Sequence, residues 1–116
     1  MRIVRPTEGA AERIGPRPYA VRKASSQEIA EGEGEAHAYV LYFEPGGEIG
    51  SHEAGFGQLF LALSGEGWVA GGDGIRQALT TGEAAFIARG EIHSKGSDTG
   101  LTALMVQVRD FNPLLP

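Results

Sequence analysis

The chain has 116 residues, of which 41% are hydrophobic and 22% are charged, and a formal net charge of -5. This length allows a single domain, and the apolar content is that of a globular protein rather than a disordered chain. The absence of cysteine excludes disulfides, thiolate metal sites and a cysteine nucleophile. No apolar run resembles a signal sequence or a membrane span, so we expect a cytoplasmic protein without a membrane partner.

Glycine is the most over-represented residue. The sequence has 18 glycines, where average usage would give about eight. Fourteen of them lie between residues 46 and 100, and they follow no Gly-X-Y period. This local excess excludes collagen and indicates turns between strands.

Charge is unevenly distributed along the chain. Residues 1–23 carry six bases and two acids, a balance of +4, whereas residues 24–116 carry four bases and 13 acids, a balance of -9. The basic segment is therefore expected either to lie on the acidic surface of its own or a neighbouring subunit, or to bind an anionic partner. Prolines dilute its bases and only Tyr19 offers a ring for stacking, so we expect no nucleic-acid partner.

The predicted elements before residue 36 are short. Residues 19–24 read as a strand that is limited by prolines on one side and serines on the other. Residues 25–30 read as the one short helix, with Ser26 as its cap. The glutamate-rich segment 28–35 overlaps the end of that helix and is expected to be an exposed loop or a frayed turn.

From residue 36 onward, short β-type runs alternate with glycine-bearing turns. Turns are predicted at 45–47, 65–67 and 71–74. The predicted strands are 36–43, 58–63, 68–70, 75–79, 84–88 and 101–108. Runs of this length and spacing predict an all-β domain, in the form of an antiparallel sandwich, jelly roll or barrel.

The run 58–63 is apolar on both of its faces. Side chains alternate between the two faces of a strand, so Gln58, Phe60 and Ala62 lie on one face and three leucines lie on the other. Residues 101–106 repeat the pattern. The outer face is expected to pack under the N-terminal segment or against a second subunit, so we predict a homodimer.

Two of the three histidines follow glycine-bearing β-type turns: His52 comes after residues 46–51, and His93 comes after residues 90–92. A single histidine in such a place is more often a hydrogen-bonded or surface residue than a ligand. Their spacing from the surrounding glycines is what favours a functional site.

That spacing resembles the first motif of the cupin superfamily. The motif reads glycine, five residues, histidine, one residue, histidine, three or four residues, glutamate, six residues, glycine. The corresponding residues here are Gly46, His52, Ala54, Gln58 and Gly65. Every interval is kept, while the second histidine and the glutamate are replaced.

The second cupin motif follows 16 residues later. It reads glycine, five residues, proline, one residue, glycine, two residues, histidine, three residues, asparagine. The corresponding residues are Gly82, Ala88, Gly90, His93 and Ser97. The resemblance implies an RmlC-like jelly roll with a single domain over 1–116: an N-terminal arm at 1–35, a barrel core at 36–108, and the two motifs at 46–65 and 82–97.

The resemblance also implies a site inside the barrel. A full cupin site holds a divalent metal with three histidines and one glutamate. The positions that remain here are His52, Gln58 and His93, and His37 on the preceding strand is a further candidate. Zn²⁺, Ni²⁺ or Cu²⁺ suit such a neutral set better than Fe²⁺ or Mn²⁺.

Two functions remain open from the sequence. In the first, these three residues hold a labile divalent metal in a small-molecule enzyme or metalloprotein. In the second, the barrel binds a small organic ligand without metal, and the same residues form a polar cluster that pairs internally or with water. The fold hosts many activities, so the sequence predicts no particular substrate.

Overall fold

The computed structural model describes residues 1–115 and is almost entirely β-structure. Within these residues, one 3-10 turn, Glu8–Ala10, accompanies ten strands. The strands are β1 Arg2–Val4, β2 Glu12–Arg13, β3 Ser25–Ser26, β4 Ala30–Phe43, β5 Glu48–Glu53, β6 Gly57–Ala70, β7 Arg76–Thr80, β8 Ala84–Ile87, β9 Ile92–Gly96 and β10 Leu101–Pro113. The prediction of an all-β fold is confirmed.

Two antiparallel layers share the long strand β6. The first half of β6 lies in a layer with the strand order β1-β8-β6-β10-β4. Its second half pairs with β7 and β9 in the other layer, where β9 also pairs with β5. The layers face each other in the jelly-roll arrangement expected from the sequence, and the predicted ligand residues lie on β5, β6 and β9.

One predicted turn is a bend within a strand. The sequence predicts two strands, 58–63 and 68–70, around a turn at 65–67, whereas β6 is continuous. Gly65 has a φ of 85° and pairs with Leu101, just beyond the register shift of β6 against β10 between Ala62 and Ser64. A Cβ at this position would meet the backbone carbonyl of Gly100, so only glycine carries the strand from one layer to the other.

The N-terminal elements differ from prediction, and β5 and β9 lie where no strand was predicted. Residues 19–24 form no strand, and the helix predicted at 25–30 is replaced by β3 and the start of β4. Most of the glutamate-rich segment belongs to β4, because β10 provides a partner strand for it as far as Pro113 opposite Ala30. Pairing with a distant strand overrides the weak local preference of these residues.

The main core lies between the two layers. Phe43 and Phe60 meet edge to face there, with ring centroids 6.2 Å apart. The buried members of this core are Phe43, Phe60, Ala62, Val69, Leu79, Ala85, Leu101, Ala103 and Met105. The face of β6 that carries Gln58 therefore points into the barrel.

A second cluster covers part of the outer face of β6. Leu59 is buried there with Ala84 and Phe86, and β1 contributes Val4. Residues from the C-terminal segment also pack against it, among them Phe111. The outer face is therefore covered in part by the N-terminal segment, which is one of the two coverings that the sequence predicted.

The basic segment touches the body of the protein through β1. This strand pairs with β8, and beyond it Arg5 donates a hydrogen bond to Thr80 and lies 3.9 Å from a carboxylate oxygen of Glu83. These contacts agree with the interpretation that the segment lies on the acidic surface of its own chain. In residues 1–115 no helix is long and apolar enough to cross a membrane.

The homodimer remains a prediction, and the uncovered part of the outer face is where we expect it. Val40, Tyr42 and Leu63 point outward there and are 45%, 78% and 45% exposed. Changing Tyr42→Glu and Leu63→Glu together should halve the mass measured by light scattering at micromolar concentration, because two carboxylates would be buried in the interface. Ile75→Glu, in the β6–β7 hairpin, is the control. A wild-type mass of 12.2 kDa would contradict the dimer.

Candidate ligand site in the barrel

The two predicted histidines meet across neighbouring strands. His52 on β5 stands directly opposite His93 on β9, and their ring centroids are 4.5 Å apart. An irregularity between Ile49 and His52 shifts the register of β5 and brings the rings together. His52 is exposed and His93 is fully buried, so the pair extends from the surface of the barrel to its interior.

His52 is held by its own strand. Its Nδ1 lies 2.7 Å from the backbone carbonyl oxygen of Gly50. A carbonyl can only accept, so Nδ1 is the protonated nitrogen of the ring and the lone pair is on Nε2. The bond therefore fixes which nitrogen can bind a ligand.

His93 is buried without a partner for either ring nitrogen. Neither Nδ1 nor Nε2 has a hydrogen-bond partner among the described residues. Burial lowers the pKa of His93 to about 4, the charges of Lys95 and His52 add to that effect, and Glu91 opposes it. The imidazole is consequently neutral at pH 7, with one N–H donor and one lone pair.

Gln58 also points into the barrel, where its amide is already engaged. The side chain is 2% exposed. Its Oε1 accepts a hydrogen bond from Nζ of Lys95 at 2.5 Å. The oxygen predicted to bind a metal therefore faces an ammonium group.

Lys95 is a candidate site residue that the motif spacing does not identify. Two residues past His93, the sequence favours a solvated loop over a contact with an anion, but Lys95 lies on β9 and is 2% exposed. Its Nζ is 3.3 Å from Sδ of Met105 and 4.8 Å from the centre of the Phe60 ring. Burial lowers its pKa to about 8. The available signal was strand alternation, which puts it on the same face as His93.

His37 has other contacts. It lies on β4, where its Nε2 is 2.6 Å from a carboxylate oxygen of Glu35. Its ring stacks on those of Tyr39 and Phe56 at 6.2 and 6.1 Å. His37 is thus paired with a carboxylate, and its proposed place among the ligands remains a prediction.

Ser97, the last position of the second motif, has a structural role. It is fully buried. Its hydroxyl donates to the carbonyl of Glu66 and accepts from the backbone N–H of Gly100. The side chain therefore ties the loop before β10 to β6.

The residues fit a resident divalent metal only in part. His52 and His93 each offer a neutral nitrogen, as zinc, nickel or copper would require. Gln58 does not fit as it stands, because its oxygen accepts from a cation and a metal would add further positive charge beside Lys95. Within residues 1–115, no three histidine, aspartate or glutamate side chains are grouped so that they could hold a metal.

No protein-family model matches this sequence, and no curated protein is significantly similar to it. Similarity to solved structures is extensive by contrast, with 37 significant matches. The chain is therefore similar to known proteins in its three-dimensional structure rather than in its sequence.

Three of these structures illustrate the similarity. An RmlC-like cupin from Shewanella frigidimarina is 25% identical, with a TM-score of 0.59 over 65% of this chain and 67% of that one. A cupin-like protein from Thermotoga maritima is 16% identical, with a TM-score of 0.62 over 85% and 89%. An uncharacterized protein with a double-stranded β-helix domain from Klebsiella pneumoniae is 23% identical, with a TM-score of 0.59 over 95% and 84%.

Proposed function

We propose, from the premise that this chain is a small RmlC-like cupin, that it binds a small organic molecule inside the barrel without a metal. The observation that carries the proposal is His93, which is fully buried and has two unpaired ring nitrogens. Buried polar groups in proteins are almost always hydrogen-bonded. A bound molecule with a polar group would supply the missing partner.

The position of the histidine pair supports access to such a molecule. His52 is exposed and His93, directly opposite, is buried. A ligand that enters beside His52 would reach the unpaired nitrogens of His93 next. Leaving a buried polar group unpaired costs about 1–3 kcal/mol, and binding would recover part of this cost.

The second candidate function is metal binding through the same pair. The observation that favours it is the hydrogen bond from His52 Nδ1 to the carbonyl of Gly50, because metal-binding histidines commonly donate their other nitrogen in this way. Water or substrate would have to complete the coordination, unless the oxygen of Gln58 gave up its hydrogen bond with Lys95 and bound the metal. We therefore rank this function second.

One experiment separates the two functions. The protein is purified without chelator, its metal content is measured, and its melting temperature is followed on addition of excess Zn²⁺, Ni²⁺ or Co²⁺. We expect less than one metal per ten chains and no shift. Specific binding at a hundredfold excess over Kd would stabilise the fold by about 2.7 kcal/mol. Protein from the same preparation, without added metal, is titrated with a library of small organic molecules and followed by NMR. We expect saturable chemical-shift changes at the ring protons of His52 and His93.

The variant His52→Ala tests the assignment, and His37→Ala is its matched control. Loss of ligand binding in the first variant alone would support the proposed site. Stoichiometric metal that is lost in His52→Ala and kept in His37→Ala would instead establish the second candidate. Absence of binding by every library member would contradict the proposed function.

A further inference from the structure

We infer that the ligand of this site is a small carboxylate, and this inference rests on the proposed function. The starting observation is the ammonium group of Lys95, which is 2% exposed inside the barrel. Its contacts are with the amide oxygen of Gln58, the sulfur of Met105 and the ring of Phe60. All three are neutral.

No carboxylate within residues 1–115 is paired with this charge. The ion pairs found in residues 1–115 do not include Lys95, so no carboxylate oxygen there lies within 4.0 Å of its Nζ. A buried charge in a folded protein is normally paired or coordinated. The missing anion is therefore a property expected of the ligand.

Hydrogen-bonding capacity leads to the same conclusion. An ammonium group has three N–H donors. In Lys95 one of them meets Gln58 Oε1 at 2.5 Å and a second faces the weak acceptor Sδ of Met105 at 3.3 Å. Within residues 1–115 the third donor has no oxygen or nitrogen acceptor, and a ligand oxygen would provide one.

His93 supplies a second donor on the same side of β9. Residues two apart in a strand point to the same face, about 6.6 Å apart along it. The two oxygens of one carboxylate, each accepting a hydrogen bond, can bridge donors at this spacing. One oxygen would pair with Lys95 and the other with the neutral imidazole of His93, whose nitrogens are unpaired.

The surroundings favour a monoanion with an apolar body. Phe60 and Met105, which contact the ammonium group of Lys95, both belong to the buried apolar core. One ammonium group balances one negative charge, whereas a phosphate dianion would require more donors and cations. A short carboxylic acid with an aliphatic or aromatic tail matches both features.

The test compares carboxylates with neutral molecules of the same shape. Chelator-treated protein in chloride-free buffer is titrated with acetate, pyruvate and benzoate, with acetamide and benzamide, and with inorganic phosphate. NMR follows the ring protons of His93. We expect at least one carboxylate to bind ten or more times tighter than its amide. Lys95→Met should weaken that binding at least tenfold, and Lys23→Met, a change of the only other lysine, should leave it unchanged.

The outcomes separate this inference from the proposed function. Equal affinity for amides and carboxylates would overturn the carboxylate assignment and leave small-molecule binding intact. Tighter binding of inorganic phosphate than of any carboxylate would also overturn it. Equal weakening in the Lys23 variant would place the anion elsewhere. The carboxylate–amide comparison uses the wild-type protein, so it does not depend on how any variant folds.

Discussion

Replacing Lys95 by methionine together with Gln58 by leucine is expected to raise the free energy of unfolding at pH 7 by about 3 kcal/mol. The reason is the pKa of Lys95, which burial lowers to about 8 from the ordinary value of 10.5. At pH 7 the folded state therefore retains a charge that its surroundings disfavour. The double variant removes the charge and the oxygen that would be left without a donor. Urea denaturation with chelator present and no added ligand measures the difference.

The pH dependence and a single variant provide the controls. Between about pH 8 and 10.5 the unfolded wild type keeps a proton that the folded state has lost, so wild-type stability rises with pH and the advantage of the double variant disappears. Gln58→Leu alone should lower stability by about 1–3 kcal/mol, because the ammonium loses its acceptor. A double variant no more stable than wild type at pH 7 would contradict a buried charge at Lys95.

Acidification from pH 7 to 4 is expected to cost the wild type about 3 kcal/mol more stability than it costs His93→Gln. The pKa of His93 is lowered to about 4 from 6.5, mainly by burial. Between about pH 6.5 and 4, His93 is protonated in the unfolded state and neutral in the folded state, so the free energy of unfolding falls as the pH falls. Glutamine at this position does not titrate. Chemical denaturation at pH 7, 5.5 and 4, with chelator present, measures the two slopes.

His37→Gln is the matched control for this acid dependence. His37 is exposed and paired with Glu35, whose own pKa is lowered by that hydrogen bond and by nearby charges. His37→Gln should therefore lose about as much stability on acidification as the wild type does, and more than His93→Gln does. Parallel stability profiles for the wild type and His93→Gln would contradict a buried, unpaired His93.

The predictable part of the fold is the part that local chemistry determines. The glycines of the two motifs all have positive φ: Gly46, Gly65, Gly82 and Gly90. The spacing of these glycines was predictive because each one occupies a backbone conformation that other residues rarely adopt. The first 35 residues were predicted poorly because their strands depend on distant partners, as in the pairing of Glu31 with Asn112. A local sequence pattern does not contain that information.

The arrangement of the candidate site residues was predictable in part. Motif spacing brought His52 and His93 together as expected, because both positions are set by strands and turns of the barrel. It could not reveal that Lys95 would turn inward and occupy the oxygen of Gln58. Lysine is rarely buried, so sequence reasoning assigns it to the surface unless the strand that holds it is identified.

The buried lysine gives the site a different chemical character from the one that the family motif implies. A full ligand set would bring a metal charge balanced by a glutamate, whereas this barrel has a glutamine and an ammonium group at 2.5 Å. The positive charge is thus supplied by the chain itself. A site of this kind is suited to binding an anion directly.

The most direct test of this account is a crystal structure of protein purified without chelator, with anomalous diffraction measured at the zinc, nickel, copper and iron edges. If the barrel binds an organic molecule without metal, no anomalous peak is expected beside the histidines. Density for a small organic molecule is also expected within hydrogen-bond distance of Lys95 Nζ and a ring nitrogen of His93. An anomalous peak within bonding distance of both His52 and His93 would contradict metal-free binding.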